Sequence, residues 1–339
     1  MISEPLISIC IPNYNNAKYL RKSISSALNI NYNNKEIIFV DDNSSDNSMA
    51  VAKEFSSYIK IYQNENNLGQ AKNTNKCISL SNGKFVVILH SDDQLLANFA
   101  EKLVPLLEEN EDVVMAVGER KETDESDNTV SITPFYNTNC FIPGEKQAKV
   151  FMMMSFLPCQ VLFKKEVFIK SGQVNERHIV NLDGLLWFQI SLLGEVAYIQ
   201  DEVSIYRIHG ENTTSKYNKT INHMMEYYVT LSEMFKLAKG REYLEGYFDI
   251  AEKRVATLTL RYCIDVIKNK DFKLANQYLQ LSKVFDMDIV NNELYIKLKH
   301  FLLNVDLKNF ENFCKEIDII KKREFSYEPP LGYKQIRNQ

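Results

Sequence analysis

The chain has 339 residues, with 40 Lys and Arg against 44 Asp and Glu for a formal charge of −4, and six cysteines. That length supports a sizeable core divided between two domains, and a slightly acidic chain with no basic tract excludes bulk affinity for nucleic acid. Cys10, Cys77, Cys140, Cys159, Cys263 and Cys314 form no CxxC pair, which excludes metal spacing and a disulfide framework and leaves packed, reduced thiols.

Residues 1 to 11 carry Glu4 and Pro5, and the run LISICI is too short for a secretory core or a membrane span, so a cytosolic protein is expected. Leu6 to Ile11 reads as a first strand. Pro12 to Asn16 (PNYNN) then breaks into a loop before the amphipathic helix Ala17 to Leu28. The loop holds no glycine, whereas a dinucleotide fold needs G-x-G-x-x-G there for a pyrophosphate to approach the helix, which counts against a dehydrogenase. Pro12, Asn13, Tyr14 and Asn15 offer an aromatic face and amide edges that suit a base; a plain turn accounts for them as well. Glu36 to Val40 is the second strand and runs into DDNSSDNS, Asp41 to Ser48. Capping the helix Ser48 to Ser57 needs only Ser45 or Asp46, so the adjacent Asp41 and Asp42 exceed that need. A short strand, Ile59 to Tyr62, precedes the loop NENNLGQAKNTN (Asn64 to Asn75). This loop contains Asn67 and Gly69 and enters a helix, to about Leu80, whose first turns carry Lys72 and Asn73. Such a helix start suits an anion.

Phe85 to Asp93, FVVILHSDD, is the centre of the pattern. Five apolar residues, three of them β-branched, read as an interior strand of a mostly parallel sheet, and Ser91, Asp92 and Asp93 fall at its carboxyl end. Ligands bind at that edge of open α/β sheets, and two acids there can hold a hard cation that in turn holds phosphates. Capping of the helix Ala97 to Glu109 is the competing explanation. After the strand Val113 to Val117, the polar stretch Glu119 to Thr133 reads as an exposed hairpin, with a lid as the alternative. The run FMMMSF (Phe151 to Phe156) reads as core packing, with acceptor or lipid contact as the alternative.

A strand then P-x-Y-N, a strand then DD-N-S-S-D, N-x-G-x-A-x-N on a helix, and a strand then S-D-D together resemble the family 2 glycosyltransferases of GT-A fold. Residues 156 to 172, FLPCQVLFKKEVFIKSG, are similar to the family's acceptor-side strand and helix. Leu182 to Ser215 is similar to its catalytic helix and closing loop, so the resemblance covers roughly residues 5 to 215. It implies a GT-A α/β fold, a Rossmann-like mixed sheet flanked by helices, that transfers a sugar with inversion from a nucleotide-sugar donor to a glycan or lipid-linked glycan acceptor in cell-surface polysaccharide synthesis. Pro12, Asn13, Tyr14 and Asn15 would line the base and ribose pocket. Asp42, with Asp41 beside it, would accept a hydrogen bond from a pyrimidine N3–H, which favours UDP over CMP donors. Asn67, Gly69, Lys72, Asn73, Ser91 and Asp92 would border the nucleotide. Asp92, Asp93 and His209 would hold Mg²⁺ or Mn²⁺, Asp183 would be the catalytic base, and Trp187 and Cys159 would lie on the acceptor side. The chain departs from the family twice. His90 stands where D-x-D-D has its first acid, and Phe188, Gln189 and Ile190 stand where an arginine often follows the tryptophan.

From about Lys216 glycine and proline thin out, and Tyr, Leu, Lys and Glu recur at helical spacing through Asn222 to Lys239, Tyr243 to Lys268, Lys273 to Lys283, Asn292 to Asn304 and Lys308 to Lys322. An all-helical domain over 218–325 therefore follows a catalytic domain over 1–217. Packing on the catalytic domain, a homodimer and contact with the inner face of a membrane are its candidate roles. The tail, 326–339, is expected to be loose. Two readings of function compete with an active transferase. A non-catalytic nucleotide-sugar-binding homologue would explain His90, and a sugar nucleotidyltransferase lacks its glycine-rich, arginine-containing loop.

Overall fold

The computed structural model describes residues 4–210, 220–305, 308–321 and 325–336, which form two compact units. One comprises residues 4–209 together with 326–336, and the other lies between 210 and 325. The expected boundary at 217, the end of the closing loop at Ser215, Lys216 and the end of the last helix at Lys322 fall outside the described residues.

The first unit begins β1 (Ile7–Asn13), α1 (Ala17–Leu28), β2 (Lys35–Asp41), α2 (Ser48–Lys53), β3 (Lys60–Gln63), α3 (Gln70–Ser79) and β4 (Phe85–Ile88). β1 pairs in parallel with both β2 and β4, and β2 pairs in parallel with β3. Phe85 to Leu89 are at most 3 % exposed, because an interior strand is covered on both faces and admits only apolar side chains. Next come β5 (Gln94–Leu95), α4 (Phe99–Glu108), β6 (Val113–Thr123), β7 (Thr129–Ser131), β8 (Cys140–Ile142), α5 (Gly144–Phe151), β9 (Val161–Lys164), α6 (Lys165–Ser171), α7 (Leu182–Ser191) and β10 (Glu195–Arg207). β9 lies antiparallel between β4 and β6, and β10 pairs in parallel with β6. The strands β1, β2, β4, β6 and β10 thus all point the same way. Their carboxyl ends bring Asp41, Asp42, Asp92, Asp93 and Arg207 to one edge of the sheet.

The second unit is helical: α8 (Asn222–Leu237), α9 (Glu242–Glu245), α10 (Phe248–Lys268), α11 (Phe272–Phe285), α12 (Glu293–Leu303) and α13 (Phe310–Lys321). The helix expected from Tyr243 to Lys268 is broken after Glu245, where Gly246 ends a short turn. α11 and α12 start at side-chain caps: Asp271 accepts from the Leu274 amide, and Asn292 accepts from Leu294 and Tyr295.

The tail corrects the sequence reading. Residues 326–336 return to the first unit, where β11 (Lys334–Gln335) pairs antiparallel with β8. β8 would otherwise end the sheet with unpaired backbone groups, and a two-residue strand satisfies them. So short a strand carries no periodicity to read. Ile336 and the partly buried Phe141 pack against the main core.

Candidate active site

The first two strand ends are stitched together by carboxylates. Asp41 is fully buried and accepts from the Ser44 amide (2.9 Å), the Ser44 hydroxyl (2.6 Å), Asn13 Nδ2 (2.9 Å) and Gln63 Nε2 (3.4 Å). A carboxylate has about four lone-pair sites, so Asp41 has none left for a base. Its expected place beside the donor is corrected to that of a staple between two loops. Asp42, 2 % exposed, accepts from Asn64 Nδ2 (2.7 Å) and the amides of Leu68 (2.8 Å) and Gly69 (2.8 Å), which leaves room for one further donor. Asp46 joins the two helix starts by accepting from the Ala17 amide (2.8 Å) and the Ser48 amide (2.9 Å).

Around Asp42 the loop 64–69 is held in shape from below. Asn73, expected at the nucleotide, is 2 % exposed. Its Nδ2 donates to the Val40 carbonyl (3.1 Å) and its Oδ1 accepts from Asn64 (2.9 Å), which makes it a strut under the loop. Lys76 donates to Asn64 Oδ1 at 2.6 Å. Gly69 has φ +86°, a conformation that disfavours any side chain, and its amide points to Asp42. Asn67 and Lys72 are exposed on the outer side, and Lys72 has no hydrogen bond or ion pair among the described residues. Pro12 and Asn13 are buried, whereas Tyr14 is 53 % exposed and presents its ring at the same edge. Asn15, with φ +50°, accepts from the Ser45 amide at 2.8 Å and so ties the first loop to the second.

At the end of β4 the two adjacent acids part company. Asp92 keeps 16 % of its side chain exposed and sits with Oδ2 3.0 Å from His209 Nε2. Burial pushes its carboxyl up, but the His209 hydrogen bond and the neighbouring His90 more than offset this and hold it below its ordinary value. Asp93 turns inward and is 1 % exposed. One oxygen accepts from the Arg207 amide at 3.0 Å, and the other is buried without a partner among the described residues. Burial and the charge of Asp92 next door push the Asp93 carboxyl well above the usual range. Asp93 thus anchors β10 through one oxygen and keeps the other unbonded beside Asp92. Among the described residues no three His, Cys, Asp or Glu side chains gather as a complete metal cage. Asp92 and His209 nevertheless fit Mg²⁺ or Mn²⁺, since such sites commonly take one or two protein ligands and complete themselves with substrate phosphates. Ser91 is buried and accepts from Asn16 Nδ2 at 3.2 Å.

Arg207 is the residue that sequence reasoning missed, although it stands two places before His209. Its side chain is 1 % exposed, lies 4.9 Å over the Tyr19 ring, and donates to the Asp92 carbonyl (3.3 Å), the Asp124 carbonyl (2.8 Å) and Asp127 (2.8 Å). It locks the Asp92–Asp93 turn to the hairpin between β6 and β7. That hairpin is also held to α1 by the Lys18–Glu125 pair at 3.1 Å.

Asp183 occupies the first turn of α7, whose N-cap is Asn181, and burial raises its carboxyl above the usual value. It shares a small pocket, about 20 Å³, with His90, Gln70, Thr74, Pro158 and Trp187. His90 Nε2 faces Gln70 Nε2 at 3.5 Å, so the position of the missing acid looks toward the pocket that Asp183 lines. Trp187 is fully buried and gives the pocket only part of its wall. Its indole N–H donates to the Phe156 carbonyl at 2.9 Å. Cys159 is fully buried, and its thiol is pushed up by burial and by the neighbouring Asp93. It belongs to the main core and neighbours Asp93. Phe188 and Ile190 are core residues, so they supply no phosphate contact in place of the absent arginine.

The sequence profile described as glycosyl transferase family 2 matches residues 8–172. Glycosyltransferase GlyG of Streptococcus pneumoniae serotype 4 is 30% identical over 217 residues, covering 60% of this chain and 70% of its own. An uncharacterized glycosyltransferase of Haemophilus influenzae is 28% identical over 331 residues, covering 93% and 98%. Among solved structures, residues 1–349 of S. aureus TarS in complex with UDP superpose with a TM-score of 0.60 at 14% identity over 98% of this chain and 97% of that one. Mannosyltransferase PcManGT from Pyrobaculum calidifontis, in complex with GDP-Man and Mn²⁺, gives 0.55 at 12% identity over 95% and 89%. A GT-A sheet with its acids at the carboxyl edge defines a glycosyltransferase. This chain belongs to glycosyltransferase family 2. Among the described residues no helix is long and apolar enough to cross a membrane.

Proposed function

We propose that the protein transfers a sugar, with inversion, from a UDP-sugar to a hydroxyl of a glycan or lipid-linked glycan, as a step in cell-surface polysaccharide synthesis. The observation that carries this reading is the division of labour between Asp92 and Asp183. One carboxylate is kept ionised beside His209, and the other is raised by burial beside a pocket. Asp92 and His209 would hold a divalent cation, and its chemistry when bound is to neutralise charge on the departing diphosphate. Asp42 retains one acceptor site, which matches a uracil N3–H and meets a lone pair on cytosine. Tyr14 offers a ring for the base, and Lys72 a cation at the start of α3 for the phosphates. Asp183 takes the acceptor hydroxyl's proton as its oxygen attacks the anomeric carbon, the bond to the diphosphate oxygen breaks, and the configuration inverts. The UDP complexes of TarS and the Mn²⁺ complex of PcManGT support the donor class and the metal.

A panel of nucleotide sugars, followed by nucleotide release with and without Mn²⁺ or Mg²⁺, tests this reading. UDP-sugars should be turned over, a chelator should stop turnover, and UDP should bind more tightly than CDP. Equal binding of CDP, or full turnover in excess chelator, would overturn the assignments of Asp42 and of the Asp92–His209 pair respectively.

A further inference from the structure

The returning segment 326–336 reaches the catalytic helix through a continuous set of contacts. Tyr327 is bonded on both sides to the stretch before β8: its amide donates to the Phe135 carbonyl (2.7 Å), and its carbonyl accepts from the Asn137 amide (2.9 Å). Its ring lies 5.2 Å from that of Phe135. Phe135 meets Phe156 edge-on at 5.4 Å, and Phe156 is flanked by Phe151 and Tyr198. The Phe156 carbonyl is the acceptor for Trp187 Nε1, and Trp187 stands one turn after Asp183 on α7. Because Trp187 is fully buried, the place of that carbonyl sets how deep α7 sits and which way it is turned. The far end of α7 has no freedom to compensate. Gly144, at the start of α5, approaches so closely that an added Cβ would lie 1.9 Å from the Ser191 carbonyl oxygen.

We infer that Tyr327 is a positioning residue for the transfer reaction: its ring closes the outer side of the Phe135–Phe156 stack and thereby places Trp187, and with it Asp183, against the acceptor. The inference rests on the proposed role of Asp183. The feature that separates it from simple edge capping is that β11 covers the outer edge of β8, whereas Tyr327 contacts the aromatic stack. Tyr327 is 44% exposed, so its ring is removed without opening a cavity in the core.

The test uses the full chain with Tyr327→Ala, Tyr327→Phe and Lys334→Pro. Trp187 is the only tryptophan in the sequence, so tryptophan emission reports the surroundings of this one side chain on α7. Tyr327→Ala is expected to red-shift that emission and lower kcat roughly 10-fold, less than the ~10²-fold of a full 1 Å misplacement, with donor KM within about twofold of the parent. Tyr327→Phe should restore both, since the ring and the backbone bonds remain. Lys334→Pro, which disturbs the β11 pairing, should lower Tm and leave emission and kcat alone. Unchanged emission and kcat in Tyr327→Ala would overturn the inference, as would a loss shared equally by Lys334→Pro. If Asp183→Asn proves active, the role of Asp183 fails, while the emission of Tyr327→Ala still decides whether the tail sets α7.

Discussion

Replacing Asp183 by asparagine separates catalysis from helix stability. The N-cap of α7 is Asn181, and Asp183 contributes at the first turn a negative charge near the helix start and an acceptor for its own backbone N–H, which the asparagine amide oxygen can replace. That charge is worth about 0.3–1 kcal/mol, partly cancelled by the burial that raises the carboxyl, so the variant should lie within about 1 kcal/mol of the parent in stability. Loss of a general base costs ~10²–10⁴ in rate, which is about 3–5 kcal/mol of barrier. The predicted loss of activity therefore exceeds any loss of fold severalfold. The pH profile has a definite sign. The base acts when ionised, and its pKa is raised, so the acid limb of kcat should lie above the ordinary aspartate value of 3.8 and be absent from the residual activity of the variant. Transfer is followed by product formation, donor binding by calorimetry with UDP, and stability by urea unfolding. An Asp183→Asn protein that binds UDP normally and transfers sugar within threefold of the parent rate, to take roughly 0.7 kcal/mol as the margin, would remove Asp183 from the mechanism.

The adjacent acids should separate on mutation. Asp92→Asn is expected to weaken the Mn²⁺-dependent tightening of UDP by at least about 10-fold, whereas Asp93→Asn should leave it intact; equal losses in calorimetry would refute the division. A carboxyl raised in the folded state stabilises fully below its unfolded pKa and ceases to do so as pH rises through its folded value. Asp93→Asn should accordingly flatten the decline of stability above pH 3.8, read from urea midpoints across pH. In the helical unit His223 is 1 % exposed, bonded through Nδ1 to the Thr220 carbonyl at 3.1 Å and packed against Tyr262 and Tyr278, and burial lowers its pKa despite the nearby Glu226. A depressed imidazole stabilises above its ordinary 6.5 and loses that contribution as pH falls toward its folded value, so amide exchange in α8, α10 and α11 should quicken below pH 6.5. Exchange independent of pH, after correction for the intrinsic rate, would count against this.

The amino-acid sequence alone determined the order of elements and the edge where the acids gather. Runs such as EIIFV and FVVIL, short and rich in β-branched residues, read as covered strands, and acids directly after them fall at the strand ends. The helix Ala17 to Leu28 is observed at the expected limits for the same local reason: its apolar spacing and its flanking asparagines are contained within one segment. What each acid does was decided by tertiary structure. Asp92 and Asp93 are neighbours in sequence, yet one meets His209 and the other the Arg207 amide, and both partners arrive from the end of β10 and the residues just after it, more than 100 residues away. Asp41 and Asp42 read as equivalent until the Asn13, Asn64 and Gly69 donors are counted around each. The strand at Lys334–Gln335 is too short to have a pattern of its own. It exists because β8 offers it an open edge, and such an offer is visible only once the sheet has closed around Phe135 and Tyr136.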